Sequence, residues 1–225
     1  MSKLRLGVLI SGSGTNLQAI IDACKDTDFP AEIAVVLSNR PEAYGLKRAQ
    51  KAGIPTLCID HTDFESRSLF EDALHGALKE HKVQLVCLAG FMRLLNADFV
   101  NRWKDRMINI HPSLLPAYKG LHTCERALED GVRFAGCTIH YVRPEMDNGP
   151  IIMQAAVPIA RNDTADSLQA RIQTFEHKMY PVAVRLIAIG AVRVSGGKVI
   201  YTDEALLPDD GLISPKIAKI IVNTP

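Results

Sequence analysis

Three short segments carry residue types suited to catalysis or anion binding: Gly12-Ser13-Gly14-Thr15-Asn16-Leu17, Asn109-Ile110-His111-Pro112, and Asp147 within Met146-Asp147-Asn148-Gly149-Pro150. Residues two apart on an extended strand share a face and lie about 6.5 Å apart along it. Asn109 and His111 therefore point the same way, one an amide donor and the other a group that titrates near neutrality. Such a pair can polarise a carbonyl, stabilise an oxyanion and manage a proton. A hydrogen-bonded histidine that merely ends a strand would look the same. The Gly12 segment starts like a dinucleotide fingerprint, but Leu17 stands where the third glycine belongs and no Gly-Lys-Ser/Thr follows. What remains is a glycine turn feeding a helix N-terminus, with N–H groups, the positive end of the dipole and two hydroxyls. That suits a single phosphate, and it equally suits a plain tight turn. Asp147 in a Gly/Pro loop is by itself a turn former. Beside His111, its carboxylate would favour the charged ring and fix its tautomer.

Other chemistries find little support. There is no Gly-x-Ser-x-Gly elbow, which disfavours a serine hydrolase. The histidines at 61, 75, 81, 111, 122, 140 and 177 show no HxxxH spacing, so no metal site is expected. His61, His75 and His81 sit on polar stretches and read as surface residues, and His140 alternates along an apolar strand and reads as packed.

The elements that must position these segments follow from periodicity. Leu4–Ile10, Ile33–Leu37, Thr56–Ile59, Val83–Ala89 and Met107–Ile110 are apolar runs of strand length. Between them, Leu17, Ile20, Ile21 and Cys24 mark one helix face; a helix with Pro41 in its first turn ends at Gly53; and Phe64–Lys79 is helical with Leu69, Ala73, Leu74, Ala77 and Leu78 on one side. Strands alternating with helices favour a doubly wound, mostly parallel α/β sheet. In such a sheet ligands bind outside the carboxyl ends of the strands. Gly12–Asn16, Gly90–Leu95 and Asn109–Pro112 all follow strand ends. The second half adds two longer strands, Ala135–Val142 and Ile151–Ile159, as an antiparallel addition. A long helix is expected from a Thr164 cap to about Ile189, kinked or broken at Pro181. A closing hairpin flanks Ser195-Gly196-Gly197-Lys198, and a peripheral tail runs from Thr202.

Composition fits this picture. The chain has 225 residues, 47% hydrophobic and 23% charged, with 26 basic against 25 acidic side chains. That mixture builds a core and disfavours disordered, collagen-like and membrane-spanning classes. The near-zero charge leaves no basic footprint for nucleic acid. Five cysteines without a CxxC pair read as reduced thiols of a cytoplasmic protein. One domain over 1–225 is expected, with a core at about 4–190 and a hairpin and tail at about 191–225.

Together the segments are specific. Ile108-Asn109-Ile110-His111-Pro112-Ser113-Leu114-Leu115-Pro116, then Lys119-Gly120-Leu121-His122-Thr123, resembles the core motif of the folate-dependent formyltransferases. Gly136-Cys137-Thr138-Ile139-His140 with Asp147-Asn148-Gly149 looks like the second signature of that family. Adding Gly12–Asn16 and Gln173-Thr174-Phe175-Glu176-His177, the resemblance spans about residues 4–190. It implies a Rossmann-like formyltransferase fold and a catalytic trio of Asn109, His111 and Asp147. It also implies a phosphoribosyl substrate site at Gly12, Ser13, Gly14, Thr15 and Asn16, with Glu176 on the ribose. The folate would be held by Met92, Arg93, Leu94 and Leu95, by Arg67, and by Asn109, Arg143, Glu145 and Asp147.

Gly120-Leu121-His122-Thr123 resembles the branch that formylates the amine of glycinamide ribonucleotide, with 10-formyltetrahydrofolate as co-substrate and no metal. Relatives acting on methionyl-tRNA or deformylating folate carry other residues there and add a domain for which 225 residues leave no room. Cys124 departs from the His of many bacterial members and lies outside the trio. The resemblance implies small-molecule substrates, no nucleic-acid or membrane partner, and a monomer or homodimer. A deformylase-like enzyme, or a nucleotide-binding reductase on the same sheet, remains the alternative.

Overall fold

The computed structural model describes residues 2–202 and, beyond them, the strand Ile213–Ser214. The fold is doubly wound α/β, mostly parallel, with antiparallel strands in the C-terminal half. The chain forms two compact units, Met1–Asn109 with Val142–Pro144, and Ile110–Tyr141 with Glu145–Pro225.

The first unit contains β1 (Leu4–Ile10), α1 (Thr15–Cys24), β2 (Ala31–Ser38), α2 (Tyr44–Lys51), β3 (Thr56–Cys58), α3 (Arg67–Glu80), β4 (Leu85–Leu88) and α4 (Ala97–Arg102). It also holds most of β5 (Met107–His111). The strands lie in the order β3-β2-β1-β4-β5, all parallel. The chain thus begins in the middle, builds outward to β3, then crosses β1 to build the other side. The reversal falls between β1 and β4, and there the connections leave in opposite directions and open a crevice.

Alternation along β1 serves both faces. Leu9 joins Phe70, Leu74 and Leu78 of α3 and Phe99 and Trp103 on and beside α4 in one buried cluster. On that same face α3 comes so close that a Cβ at Gly7 would stand 2.5 Å from Leu78 Cδ2. Ile10 faces the other way, against α2 at Gly45.

Boundaries moved where caps decide them. Ser66 accepts a hydrogen bond from Leu69 N at 3.3 Å, so α3 starts at Arg67 and not Phe64. Leu69, expected on the apolar face, is 51% exposed, and Phe70 takes its place in the core. Pro41 lies in the turn before α2, which begins at Tyr44.

The second unit contains α5 (Thr123–Glu129), β6 (Phe134–Tyr141), β7 (Ile151–Pro158), α6 (Ala165–Ala188), β8 (Val192–Ser195) and β9 (Lys198–Tyr201). β6 and β7 are antiparallel, from Phe134↔Pro158 to His140↔Ile151, and β10 (Ile213–Ser214) pairs antiparallel with β7. Thr164 caps α6 in a reciprocal box with Ser167. The helix runs unbroken to Ala188 through Pro181, where a kink or a break is expected, so the break does not occur. Proline removes one N–H donor, but Tyr180, Val182, Ala183, Val184 and Leu186 are all buried around it and hold the turn by packing. β8 and β9 form the expected hairpin through Gly196 and Gly197, both at positive φ. The tail expected from Thr202 otherwise lies outside the described residues.

Candidate active site

In the first unit, the ends of β1 and β4 meet at Ser11. Its N–H donates to Gly90 O at 3.0 Å, and its hydroxyl donates to Asn39 Oδ1 at 2.6 Å while accepting from Met92 N at 2.8 Å. One buried hydroxyl thus ties the start of the glycine turn to the Met92–Leu95 segment and to the end of β2. Asn39 is steadied in turn by His61, whose Nδ1 lies 3.1 Å from Asn39 O and 3.3 Å from Asn39 Nδ2. His61 is therefore turned inward, contrary to its expected surface placement. Neither Ser11 nor Asn39 stood out in the sequence, because their partners are 81 and 28 residues away.

The glycine turn itself is shaped as expected. Gly14 adopts a left-handed conformation, φ 69°, immediately before α1. Asn16 and Leu17 are buried. Leu17 thus fills the position of a third fingerprint glycine with core. Met92 and Leu94 are 60% and 63% exposed, so two large apolar side chains stand in solvent on the segment that Ser11 holds. Arg67 is exposed in the first turn of α3, and Arg93 is exposed as well. Arg143 pairs with Asp105 and donates to Val142 O at 3.0 Å, which anchors the start of the 143–147 loop. Asn109 is half-buried near the end of β5.

In the second unit, His111 ends β5 and is 6% exposed. Its Nε2 lies 2.9 Å from Tyr118 O, and its Nδ1 lies 3.6 Å from Asp147 Oδ2. That oxygen also accepts from Gly120 N at 2.8 Å. Asp147 holds a left-handed backbone, φ 49°, which turns its carboxylate inward from an exposed loop. Lys119 Nζ donates to Asn148 Oδ1 at 2.7 Å and closes the same clasp. Both ring nitrogens of His111 face oxygen, Nε2 within hydrogen-bond distance of Tyr118 O and Nδ1 in a longer contact with Asp147 Oδ2. The structure thus brings His111 and Asp147 together, as the sequence reading required.

The segment after His111 is fixed by β6 and β7. Thr138 Oγ1 donates to Ser113 O at 2.7 Å and accepts from Leu115 N at 3.1 Å. Gln154 Nε2 reaches Leu115 O at 2.9 Å. The Leu115–Pro116 peptide is cis. Glu176, on α6, is 5% exposed. Glu145 is exposed. Cys124 is buried on α5, and burial pushes its thiol up, so it is a packed group and not a nucleophile.

His140 was expected to be packed, and it is, at 2% exposed. Its Nδ1 meets Tyr141 O at 3.0 Å, and its Nε2 lies 3.9 Å from Asp147 Oδ1. Burial pushes its imidazole below the usual range, so the ring is neutral at pH 7. Asp147 therefore stands between two histidines. Alternation alone could not show the second, because a buried strand histidine has the same pattern whatever faces it.

Among the described residues no group of three or more His, Cys, Asp or Glu could hold a metal ion, and no helix is long and apolar enough to cross a membrane.

Known group-transfer enzymes share both the sequence and the shape of this chain. The chain belongs to the formyl transferase family, which matches residues 4–184. It is 42% identical to phosphoribosylglycinamide formyltransferase of Escherichia coli K12 over 208 residues, 92% of this chain and 98% of that one. It is 52% identical over 195 residues to the trifunctional purine biosynthetic protein adenosine-3 of Chironomus tentans, which covers 86% of this chain. The chain spans only 14% of that larger relative's length. The crystal structure of glycinamide ribonucleotide transformylase 1 from Symbiobacterium toebii superimposes with a TM-score of 0.87 at 49% identity, covering 89% of this chain and 95% of that one.

Proposed function

We propose that this chain transfers the formyl group of 10-formyltetrahydrofolate to the amine of glycinamide ribonucleotide, a step of de novo purine biosynthesis. The observation that carries the reading is the His111–Asp147 pair at 3.6 Å, its carboxylate oriented by Gly120 N–H, in a chain 42% identical to a phosphoribosylglycinamide formyltransferase over nearly its whole length.

The amine attacks the formyl carbon directly. A nitrogen–carbon bond forms as the carbonyl oxygen becomes an oxyanion, and the bond from that carbon to the folate nitrogen then breaks. Asn109 and the Nε2–H of His111 stabilise the oxyanion, a contact whose loss typically costs roughly 100- to 1,000-fold in rate. Asp147 holds His111 in its charged form and, through water, relays the proton from the attacking amine to the departing folate nitrogen. The phosphate binds at Gly12–Asn16 and the ribose at Glu176. That binding energy is remote from the reacting carbon and serves to position the amine. The folate falls to the Met92–Leu95 segment with Arg67 and Arg143, and to Glu145 and Asp147 of the loop after β6. We read residues 1–225 as one formyltransferase domain, since the family match runs through both compact units. It would work in the cytoplasm as a monomer or homodimer, on small molecules and without a metal.

The test is a spectrophotometric assay of tetrahydrofolate release, with and without glycinamide ribonucleotide. Release that requires the ribonucleotide is expected. Equal release without it would mean that water is the acceptor and the chain is a deformylase. No release in either case, with tight binding of a nicotinamide cofactor, would move the reading to a reductase.

A further inference from the structure

The functional reading leaves α2 without a role, yet α2 contacts the glycine turn at two successive carbonyls. Gly45 N donates to Gly12 O at 3.0 Å, and Arg48 Nε donates to Ser13 O at 2.8 Å. The next carbonyl, Gly14 O, accepts from Gln18 N at 2.9 Å within α1. Two consecutive carbonyls are therefore drawn toward α2, and the third points along α1. In a planar trans peptide the C=O of one residue and the N–H of the next point in opposite directions. Fixing Gly12 O, Ser13 O and Gly14 O thus aims the N–H groups of Ser13, Gly14 and Thr15 away from α2 and off the start of α1. An anion-binding turn needs this polarity, with carbonyls turned back and amides forward.

The close approach has a steric basis. A Cβ at Gly14 would lie 2.6 Å from Gly45 Cα, and a Cβ at Gly45 would lie 2.4 Å from Ile10 Cδ1. Only a glycine pair lets α2 come near enough for Arg48 to reach the turn. The guanidinium is itself held, 5.0 Å over the Tyr44 ring and with Nη1 3.3 Å from Gln18 Oε1. It therefore places a fixed positive charge beside the turn without spending its donors on the ligand.

We infer that Arg48 is a positioning residue for the substrate's phosphate: it turns the Ser13 carbonyl back, thereby aims the Gly14 N–H forward, and adds a cationic charge behind the turn. This rests on the formyl-transfer reading, in which Gly12–Asn16 receives the phosphate of glycinamide ribonucleotide. Lysine keeps the charge but cannot reproduce the planar fork that meets Ser13 O and Gln18 Oε1 together.

The test compares wild type, Arg48→Met and Arg48→Lys in steady-state kinetics, together with calorimetric titration of each with inorganic phosphate. A bond from a charged donor and its field are worth at least about tenfold. Arg48→Met should raise KM for glycinamide ribonucleotide at least about tenfold and weaken phosphate binding by a similar factor. KM for the formyl-folate and kcat should stay within about twofold, as befits binding common to ground and transition states. Arg48→Lys should recover part of the loss. An unchanged KM for the ribonucleotide in Arg48→Met, or a parallel fall in every kinetic constant, would overturn the inference, because the latter is what mere loosening of the fold produces. If wild type proves not to transfer formyl to glycinamide ribonucleotide, the functional reading fails by itself. The phosphate titration still decides on Arg48, since equal phosphate affinity in wild type and Arg48→Met refutes it.

Discussion

Replacing Asp147 with asparagine keeps the shape of the side chain and removes its charge and its capacity to carry a proton. The Asn Oδ1 can still accept from Gly120 N, which now donates to Asp147 Oδ2 at 2.8 Å, so the loop keeps its anchor. What disappears is the capacity to relay a proton, together with the carboxylate's attraction for a protonated His111, whose Nδ1 lies 3.6 Å from it. With an effective dielectric of about 20, a protonated ring and the carboxylate at that distance would attract by about 5 kcal/mol. The Asp147 side chain is 12% exposed, and this slight access to solvent trims the figure to about 3–4 kcal/mol. At about 1.4 kcal/mol per factor of ten, kcat should fall by roughly 10²- to 10³-fold. KM for the ribonucleotide should change little, because the charge is needed only as the oxyanion develops, whereas KM for the formyl-folate, which Asp147 helps to hold, should rise. The assay is ribonucleotide-dependent tetrahydrofolate release, with circular dichroism and a thermal melt as controls for folding. A variant that keeps its fold and turns over within about threefold of wild type would refute the electrostatic argument.

Burial and close packing elsewhere in the fold set three further outcomes. Burial holds the His140 imidazole below its usual value of 6.5, so as pH falls through that value the unfolded chain takes up a proton that the folded chain refuses. Stability should therefore decline below about pH 6.5, and more steeply in wild type than in His140→Gln; equal slopes in urea titrations across pH 6.5 to 5 would discard this. A Cβ at Gly136 would stand 2.0 Å from Ala155 O and 2.8 Å from Leu114 Cδ2, so Gly136→Ala should lower stability by about 3 kcal/mol or more, and a melt like wild type would contradict the packing. Cys58 is exposed whereas Cys87, Cys124 and Cys137 are buried, so maleimide should modify Cys58 first. That reaction should be slow, since partial burial and the Asp60 and Asp63 carboxylates push the thiol up; mass spectrometry that finds a buried cysteine labelled earlier would count against the fold.

Local signals were legible wherever a short stretch decides the structure. The apolar Leu4–Ile10 run, the Thr164 cap and the Gly196-Gly197 hairpin turn are all complete within a few residues, and each formed where expected. The helices at Ala97–Arg102 and Thr123–Glu129 escaped notice, because six and seven residues are too few to establish a period. Pro181 misled, since backbone chemistry argues for a break and only the burial of its neighbours overrides it. At the site, His111 and Asp147 could be proposed as partners because each stands in a motif. Ser11, Asn39, Arg48 and His140 could not, for each acts through a partner that is distant in sequence or unremarkable in type.

The contact between His111 Nε2 and Tyr118 O, at 2.9 Å, gives the resting protein an occupant for the donor that the proposed chemistry needs. A peptide carbonyl is an uncharged acceptor, and this one belongs to the chain itself. Exchanging it for a ground-state formyl oxygen would trade like for like, at almost no gain. Exchanging it for an oxyanion would trade a hydrogen bond to an uncharged acceptor for a stronger one to a charged acceptor. Tyr118 would thus act as an internal competitor that discriminates between the two: it is displaced at equal strength by substrate and outbid only as negative charge accumulates, so the donor's preference would be for the transition state from the outset.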